Sequence, residues 1–189
     1  MPDVPDRPYA SRSGHKLAAA LDRFAMDPAG NTCADLGSNV GGFVDVLLRR
    51  GAAKVYAIDT GYGVLAYRLR TDARVIVMER TNAMHVELPE RMDLVTIDVA
   101  WTRQQQILPA AMRLLKPDGR IITLIKPHYE ADRRLLKAGL LPPEHAKTVL
   151  QSTLDTARSL GLKILGEMES PVKGHKGNVE YLALLKCRS

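Results

Sequence analysis

Four charged residues carry side chains that together could activate a hydroxyl group: Lys16, Asp98, Lys126 and Glu180. A hydroxyl is a weak nucleophile, so a base must remove its proton as it attacks an electrophilic carbon. A lysine can be this base when burial and a neighbouring positive charge disfavour its charged form. We expect Lys126 to be the base and Lys16 to disfavour its charged form, while the two carboxylates orient the lysines and the hydroxyl.

The chain alternates short β-branched runs with stretches of helical spacing. This alternation predicts an α/β fold with a mostly parallel sheet and helices on both faces. The connection before the last strand, residues 169–179, has no helical pattern, although a parallel crossover usually contains a helix, so strand seven is predicted to be antiparallel. The seven predicted strands span residues 32–37, 54–59, 75–80, 94–99, 120–126, 162–168 and 180–186.

The ends of these elements are expected to bring the four charged residues together. Asp98 lies near the end of strand four and Lys126 ends strand five, and ligands of open α/β sheets bind at the carboxyl ends of the strands. An antiparallel strand seven starts at that same edge with Glu180. Lys16 opens a helix that precedes strand one. Each residue alone could be a cap or a surface charge, and their convergence at one edge favours the catalytic interpretation.

Three predictions concern the remaining elements. Leu17, Leu21 and Phe24 form the apolar face of the first helix. Pro109 is tolerable in its helix only if it lies in the first turn. Residues 128–143 form one long irregular stretch with three basic residues, which could be a lid or a plain loop.

A glycine-rich stretch, DLGSNVGGF at residues 35–43, follows the first strand at the usual ligand-binding position. A dinucleotide fingerprint would place a glycine where this chain has Asn39, which makes NAD or FAD less favoured. Asp59 ends the second strand about 20 residues after Gly37, as expected for a carboxylate that binds a ribose diol. With Asp35 near the amino-acid end, the site suits S-adenosylmethionine, whose sulfonium methyl a ribose hydroxyl could attack. The alternatives are helix-on-strand packing for Gly41 and Gly42 and a solvated strand end for Asp59.

Composition bounds the class of protein. The 189 residues, 46% of them hydrophobic, suit one domain spanning 1–189, with 1–12 expected to be a flexible segment. With no apolar run long enough for a membrane span and no signal-peptide pattern, a cytoplasmic location is expected. Cys33 and Cys187 have no metal-ligand spacing, so no metal site is predicted and both are interpreted as buried thiols.

The net charge of +6 is unevenly distributed, which favours a polyanionic partner. The basic clusters are Arg7, Arg12 and Lys16; Lys126, Arg133, Arg134 and Lys137; and Lys173 and Lys176.

The sequence resembles the FtsJ-like ribose 2′-O-methyltransferases, and most closely the methyltransferase domain of the TlyA family of ribosomal RNA methyltransferases. The resemblance implies a Rossmann-like class I fold, S-adenosylmethionine as cofactor, and methyl transfer to a ribose 2′-hydroxyl of RNA, with ribosomal RNA the expected substrate. It also implies a Lys-Asp-Lys-Glu catalytic tetrad at Lys16, Asp98, Lys126 and Glu180. It is carried by YASRSGHKLAAAL, DLGSNVGGFVDVLLRRGAAKVYAIDTGYGVLAYRLR, VIVMERTNA, DLVTIDV, LPAAMRLLKPDG, KPHYEA and SPVKGHKGNVEYL. The implied cofactor contacts are Asp35, Gly37, Ser38, Gly41, Gly42, Phe43, Asp59, Asn82 and Asp98.

The sequence departs from that family at two places. Members usually carry an amino-terminal S4-type RNA-binding domain, and this chain begins too close to Tyr9 to contain one, so a separate RNA-binding partner is a further expectation. After Asp98 the family tends to read Ser-Phe, where this chain reads Ala100-Trp101, and Trp101 could stack on a target base or pack in the core. The alternatives to a methyltransferase are a non-catalytic module that binds RNA and cofactor, a nicotinamide-dependent oxidoreductase, and a pore-forming hemolysin.

Overall fold

The computed structural model describes residues 9–188, in which seven strands form one sheet. The strands are β1 (Thr32–Leu36), β2 (Lys54–Ile58), β3 (Val75–Met78), β4 (Met92–Ile97), β5 (Leu115–Ile125), β6 (Leu162–Glu169) and β7 (Tyr181–Cys187). Their order across the sheet is β3-β2-β1-β4-β5-β7-β6. β7 runs antiparallel to both of its neighbours, β5 and β6, whereas the other neighbouring strands pair in parallel. The predicted mostly parallel sheet with an antiparallel last strand is confirmed.

Helices cover both faces of the sheet, as predicted. They are α1 (Ser13–Arg23), α2 (Gly42–Arg49), α3 (Tyr67–Arg70), α4 (Gln104–Leu114), α5 (Pro127–Glu130) and α6 (Pro143–Ser159). One core layer packs α1, α2 and α3 against the sheet, with Leu17 and Phe43 among its buried residues. The other packs α4 and α6 against the opposite face, with Ile107 and Leu150 among its buried residues. The central strands are therefore buried on both sides, which explains their continuous apolar runs.

Four local features differ from the sequence-based expectation. Pro109 lies in the interior of α4 rather than in its first turn. β5 begins at Leu115, before the predicted start, because the chain passes directly from α4 into the strand. Residues 128–143 contain the end of α5, a short 3₁₀ turn and the start of α6 instead of one irregular stretch. Cys187 is half-buried, whereas Cys33 is buried as predicted.

Residues 9–12 lie against the first helices. The backbone N–H of Ala10 donates to Asp45 Oδ2 at 2.8 Å, and the ring of Tyr9 packs edge-on against His15 at 5.1 Å. The rest of the predicted flexible segment, residues 1–8 with Arg7, lies outside the described residues.

Candidate active site

Two neighbouring clefts open at the carboxyl edge of the sheet, where the strand order changes direction between β1 and β4. This is where open α/β sheets bind ligands. The first cleft, of about 340 Å³, lies toward β5 and β7, and the second, of about 380 Å³, lies toward β2. Both are lined by Gly37, Asn39, Asp98 and Ala100. The two clefts therefore join at these residues, and a ligand that occupies both would pass them.

The four predicted catalytic residues all line the first cleft. Ile125 of β5 pairs with Tyr181 of β7, so the residue after Ile125 and the residue before Tyr181 lie at the same end of the ladder. Those residues are Lys126 and Glu180. Asp98 directly follows β4, and Lys16 lies in the first turn of α1.

These residues form two ion pairs. Lys126 Nζ lies 2.7 Å from Asp98 Oδ1 and donates to the carbonyl of Val99 at 3.0 Å. Lys16 Nζ donates to Glu180 Oε2, and both side chains are buried. Glu180 therefore offsets the charge of Lys16, and the positive charge that faces Lys126 is smaller than the sequence-based expectation requires.

Gly174 fixes the position of the Glu180 carboxylate. A Cβ atom added to Gly174 would collide with Glu180 Oε1, so the backbone of this glycine packs directly against the carboxylate. The glycine belongs to the basic turn before β7, which thereby forms one wall of the cleft.

Asp35 brings an unusual carboxyl to the floor of the first cleft. Its Oδ1 accepts a hydrogen bond from the Thr96 hydroxyl at 2.7 Å, while its buried Oδ2 has no partner among the described residues. Burial raises the pKa of Asp35 to about 7, although the Thr96 hydroxyl opposes this shift. A buried carboxyl with one free oxygen suits a ligand that brings its own cation, such as the ammonium group of an amino acid.

The second cleft has the character of a nucleoside pocket. Part of its wall is apolar and consists of Ile58, Ala83, Met84, Val99 and Ile107. At its rim, Asp59 accepts the backbone N–H groups of Asn39 at 2.8 Å and Gly61 at 2.7 Å. An ionised carboxylate can accept further bonds, so Asp59 retains capacity for a ribose diol.

The predicted cofactor residues separate into two groups. Those that line a cleft are Asp35, Gly37, Ser38, Phe43, Asp59, Asn82 and Asp98. Gly41 and Gly42 line neither cleft. A Cβ atom at Gly41 would collide with the Leu69 side chain, and one at Gly42 would collide with the Ser13 side chain. These two glycines permit close packing around the start of α2. Gly37 has φ +89°, and a Cβ there would lie 2.7 Å from the Asp98 carbonyl, so a side chain cannot fit at the junction of the clefts.

A family model described as FtsJ-like methyltransferase matches residues 9–187. The chain belongs to the FtsJ-like methyltransferase family.

Several known proteins are similar to this chain over nearly its whole length. It is 41% identical to the 16S/23S rRNA (cytidine-2′-O)-methyltransferase TlyA of Mycobacterium tuberculosis, over 97% of this chain and 70% of that protein. A solved structure from Streptococcus thermophilus, provisionally named a hemolysin, has a TM-score of 0.93 at 33% identity, covering 99% of this chain and 70% of that one. The N-methyltransferase NodS of Bradyrhizobium japonicum, at 15% identity and a TM-score of 0.65, covers 98% of this chain and 100% of that one, and shows the fold alone.

Several residues that line the first cleft of this FtsJ-like methyltransferase were not among the catalytic and cofactor residues predicted from the sequence. His128 is buried in the wall of the first cleft, and burial together with the charge of Lys126 lowers the pKa of His128 to about 4. Ser11 and Arg12 line the same cleft from the start of α1. The closeness of His128 to Lys126 in sequence was the available signal, whereas Ser11 and Arg12 reach the cleft only through the packing of α1.

Trp101 is not a core residue. It is 81% exposed, adopts a left-handed backbone with φ 63°, and packs on the ring of Tyr129 with centroids 4.9 Å apart. It lines the second cleft near its junction with the first. Stacking of Trp101 on a target base stays a prediction.

Among residues 9–188, no cluster of histidine, cysteine, aspartate and glutamate has the geometry of a metal site. None of the helices in that part of the chain is long and apolar enough to cross a membrane.

Proposed function

We propose that this chain is an S-adenosylmethionine-dependent methyltransferase that acts on the 2′-hydroxyl of a cytidine ribose in ribosomal RNA. The main support for this proposal is that two lysine–carboxylate ion pairs line one cleft. That cleft lies directly beside a pocket suited to a nucleoside. The relative from Mycobacterium tuberculosis, named for this reaction on ribosomal RNA, supports the same substrate class.

The two clefts divide the cofactor between them. Asp59 and the apolar wall of the second cleft would hold the adenosine, and the free oxygen of Asp35 would receive the ammonium group. Gly37 leaves the junction open. When bound, S-adenosylmethionine supplies an electrophilic methyl group on a sulfonium.

Lys126 is the residue that would remove the proton of the ribose hydroxyl. Asp98 and the Val99 carbonyl hold its nitrogen at the junction of the clefts, where hydroxyl and methyl group have to meet. In its neutral form Lys126 accepts the hydroxyl proton, and much of the acceleration comes from holding the two groups in line. The Lys16–Glu180 pair would orient the ribose from the opposite wall.

Basic residues around the first cleft support an RNA substrate. Arg12, Lys173 and His175 line it, and the nearby Arg133 and Arg134 are exposed. Phosphate contacts of this kind fix the register of a nucleic acid without reading its sequence. A separate RNA-binding partner stays a prediction.

The test is transfer of radiolabelled methyl groups from S-adenosylmethionine to unmodified 16S and 23S rRNA and to ribosomal subunits, followed by nuclease digestion to nucleosides. We expect label in 2′-O-methylcytidine. Lys126→Ala should reduce the rate by about 10²-fold or more, because the base is lost. The matched control is Lys116→Ala, which removes an exposed lysine paired with Asp93.

Each other outcome has a definite meaning. Full activity of Lys126→Ala would show that Lys126 is not the base. Cofactor binding without label on any RNA would favour the non-catalytic module, and tight binding of NADH instead would favour the oxidoreductase.

A further inference from the structure

Two basic stretches contact each other before β7, and one of them lines the catalytic cleft. The first, here called the 132–141 segment, joins α5 to α6 and exposes Arg133, Arg134 and Lys137. The second, here called the 173–178 turn, precedes β7 and exposes Lys173, His175 and Lys176. They are far apart in sequence, yet hydrogen bonds connect one to the other in the structure.

The Asn178 side chain makes the main hydrogen-bonded connection between the two stretches. Asn178 is 2% exposed, and its side chain uses both of its polar atoms. Its Oδ1 accepts the Leu141 N–H at 2.9 Å, while its Nδ2 donates to the carbonyls of Gly139 and His175, each at 3.0 Å. One amide group therefore satisfies backbone atoms of both stretches, and a buried group of this kind is costly to remove.

Lys176 forms a second tie at the surface. Its Nζ donates to the Ala138 carbonyl at 2.7 Å, and its backbone adopts the left-handed conformation with φ 57°. Non-glycine residues hold this conformation only where the surroundings stabilise it. The backbone conformation of Lys176 therefore accompanies the contact of its side chain with the 132–141 segment.

The same turn also reaches the catalytic carboxylate. The Gly174 N–H donates to the Asn178 carbonyl at 2.9 Å, which closes the turn. Gly174 in turn packs against the carboxylate of Glu180, which holds Lys16. An unbroken series of contacts thus leads from the exposed arginines to the catalytic residues.

We propose that the 132–141 segment and the 173–178 turn form a single cap that grips the RNA backbone, fastened by Asn178. Through Gly174, the cap sets the position of the Glu180 carboxylate. Asn178 is accordingly a positioning residue: it touches neither substrate nor cofactor, and it couples phosphate contact at the rim to the geometry of the site. This proposal rests on the proposed function, since it assigns RNA as the occupant of the cleft.

The first test replaces Asn178 with aspartate, which has nearly the same shape and keeps the acceptor for Leu141 but lacks both Nδ2 donors. We expect Asn178→Asp to raise KM for unmodified rRNA and to lower kcat at least about tenfold, because small misplacements at a site are costly. Cofactor affinity should change by less than about twofold, because the hydrogen bonds of the Asn178 side chain involve neither Asp35 nor a residue of the second cleft. Thr153→Ala is the control, since it removes a buried hydroxyl bond in α6, away from the cap.

A merely structural role would give a different pattern. Both Asn178→Asp and Thr153→Ala would then lower the thermal midpoint of unfolding, and neither would change kcat. That result would overturn the coupling.

Gly174→Ala distinguishes RNA binding by the cap from its effect on the position of the Glu180 carboxylate. The new methyl group would displace the Glu180 carboxylate while leaving the Asn178 bonds in place. We expect kcat to fall at least about tenfold while RNA affinity is retained. Unchanged kcat in this variant would refute the contact between turn and carboxylate.

Limited trypsin digestion tests the cap without relying on activity. Bound rRNA should protect the arginines and lysines of both stretches together in the wild-type protein, and Asn178→Asp should lose this joint protection. Protection of only one stretch would overturn the single cap. If the wild-type protein binds rRNA with joint protection but transfers no methyl group, the proposed function fails while the cap stands.

Discussion

At the scale of single residues, Asp35 shows how the fold tunes a group for a ligand. Among the described residues, only the Thr96 hydroxyl donates a hydrogen bond to its side chain, so burial dominates and the neutral form of the carboxyl is favoured. The acidic side chains nearby, Asp59 and Asp98, act in the same direction. A ligand ammonium would reverse this preference. Asp35 Oδ2 therefore remains free to accept from a ligand cation, since none of the described residues donates a hydrogen bond to it.

This arrangement predicts a pH-dependent stability. The pKa of Asp35 is raised from 3.8 to about 7 on folding, so its contribution is fully present below the unfolded value and is lost as the pH rises through about 7. Asp35→Asn keeps the acceptor for Thr96 and cannot ionise. We expect its free energy of unfolding, relative to wild type, to increase by up to about 4 kcal/mol from acidic to alkaline pH.

The measurement is urea denaturation at about pH 4 and about pH 8 without cofactor. Asp155→Asn is the control, because the Asp155 side chain is 71% exposed. A difference between Asp35→Asn and wild type that stays constant with pH would contradict the assignment.

At the scale of elements, α4 tolerates a proline that its sequence position argues against. Pro109 lies in the helix interior, where it cannot donate the usual bond to the carbonyl of Gln105. The apolar side of the helix nevertheless buries Ile107, Leu108 and Ala111 against the sheet. Burial of this face holds the helix together despite the missing bond, because tertiary packing outweighs local propensity.

We therefore expect Pro109→Ala to stabilise the protein by about 1–2 kcal/mol. The restored hydrogen bond exceeds the entropy that alanine returns to the unfolded chain. Pro143→Ala is the matched control, since Pro143 is the first residue of α6, where proline is favourable, and its replacement should not stabilise. The free energy of unfolding from urea titration decides the matter, and destabilisation by Pro109→Ala would show that the proline ring packs better than we infer.

At the scale of the whole molecule, positively charged residues are concentrated near the first cleft, which contains the proposed catalytic residues. The chain carries a net charge of +6, and basic residues from the start of α1 and the 173–178 turn line one cleft. The exposed basic residues of the 132–141 segment belong to a stretch that contacts this turn. Such a distribution attracts a polyanion and makes its affinity depend on salt.

Removing two exposed charges should change that dependence measurably. The double variant Arg133→Ala/Arg134→Ala is expected to bind rRNA more weakly, and the slope of log affinity against log salt should become shallower by about 1–2 units. Arg158→Ala, which removes an arginine paired with Asp155 in α6, is the control. Binding isotherms from about 50 to about 200 mM salt provide the measurement, and an unchanged slope would exclude these arginines from phosphate contact.

Sequence patterns alone predicted the seven strands, apart from the early start of β5, together with the antiparallel β7 and the convergence of Lys16, Asp98, Lys126 and Glu180. Strand runs, turn glycines and helix spacing are local signals, and the carboxyl ends of adjacent strands must share an edge. Only the tertiary structure decided how the charges pair, because Lys16 meets Glu180 through the packing of α1 beside β7. The ties made by Asn178, the free oxygen of Asp35 and the exposure of Trp101 likewise depend on contacts between distant segments. Such contacts leave no periodic signal in the chain, since they arise only when the packed elements bring those segments together.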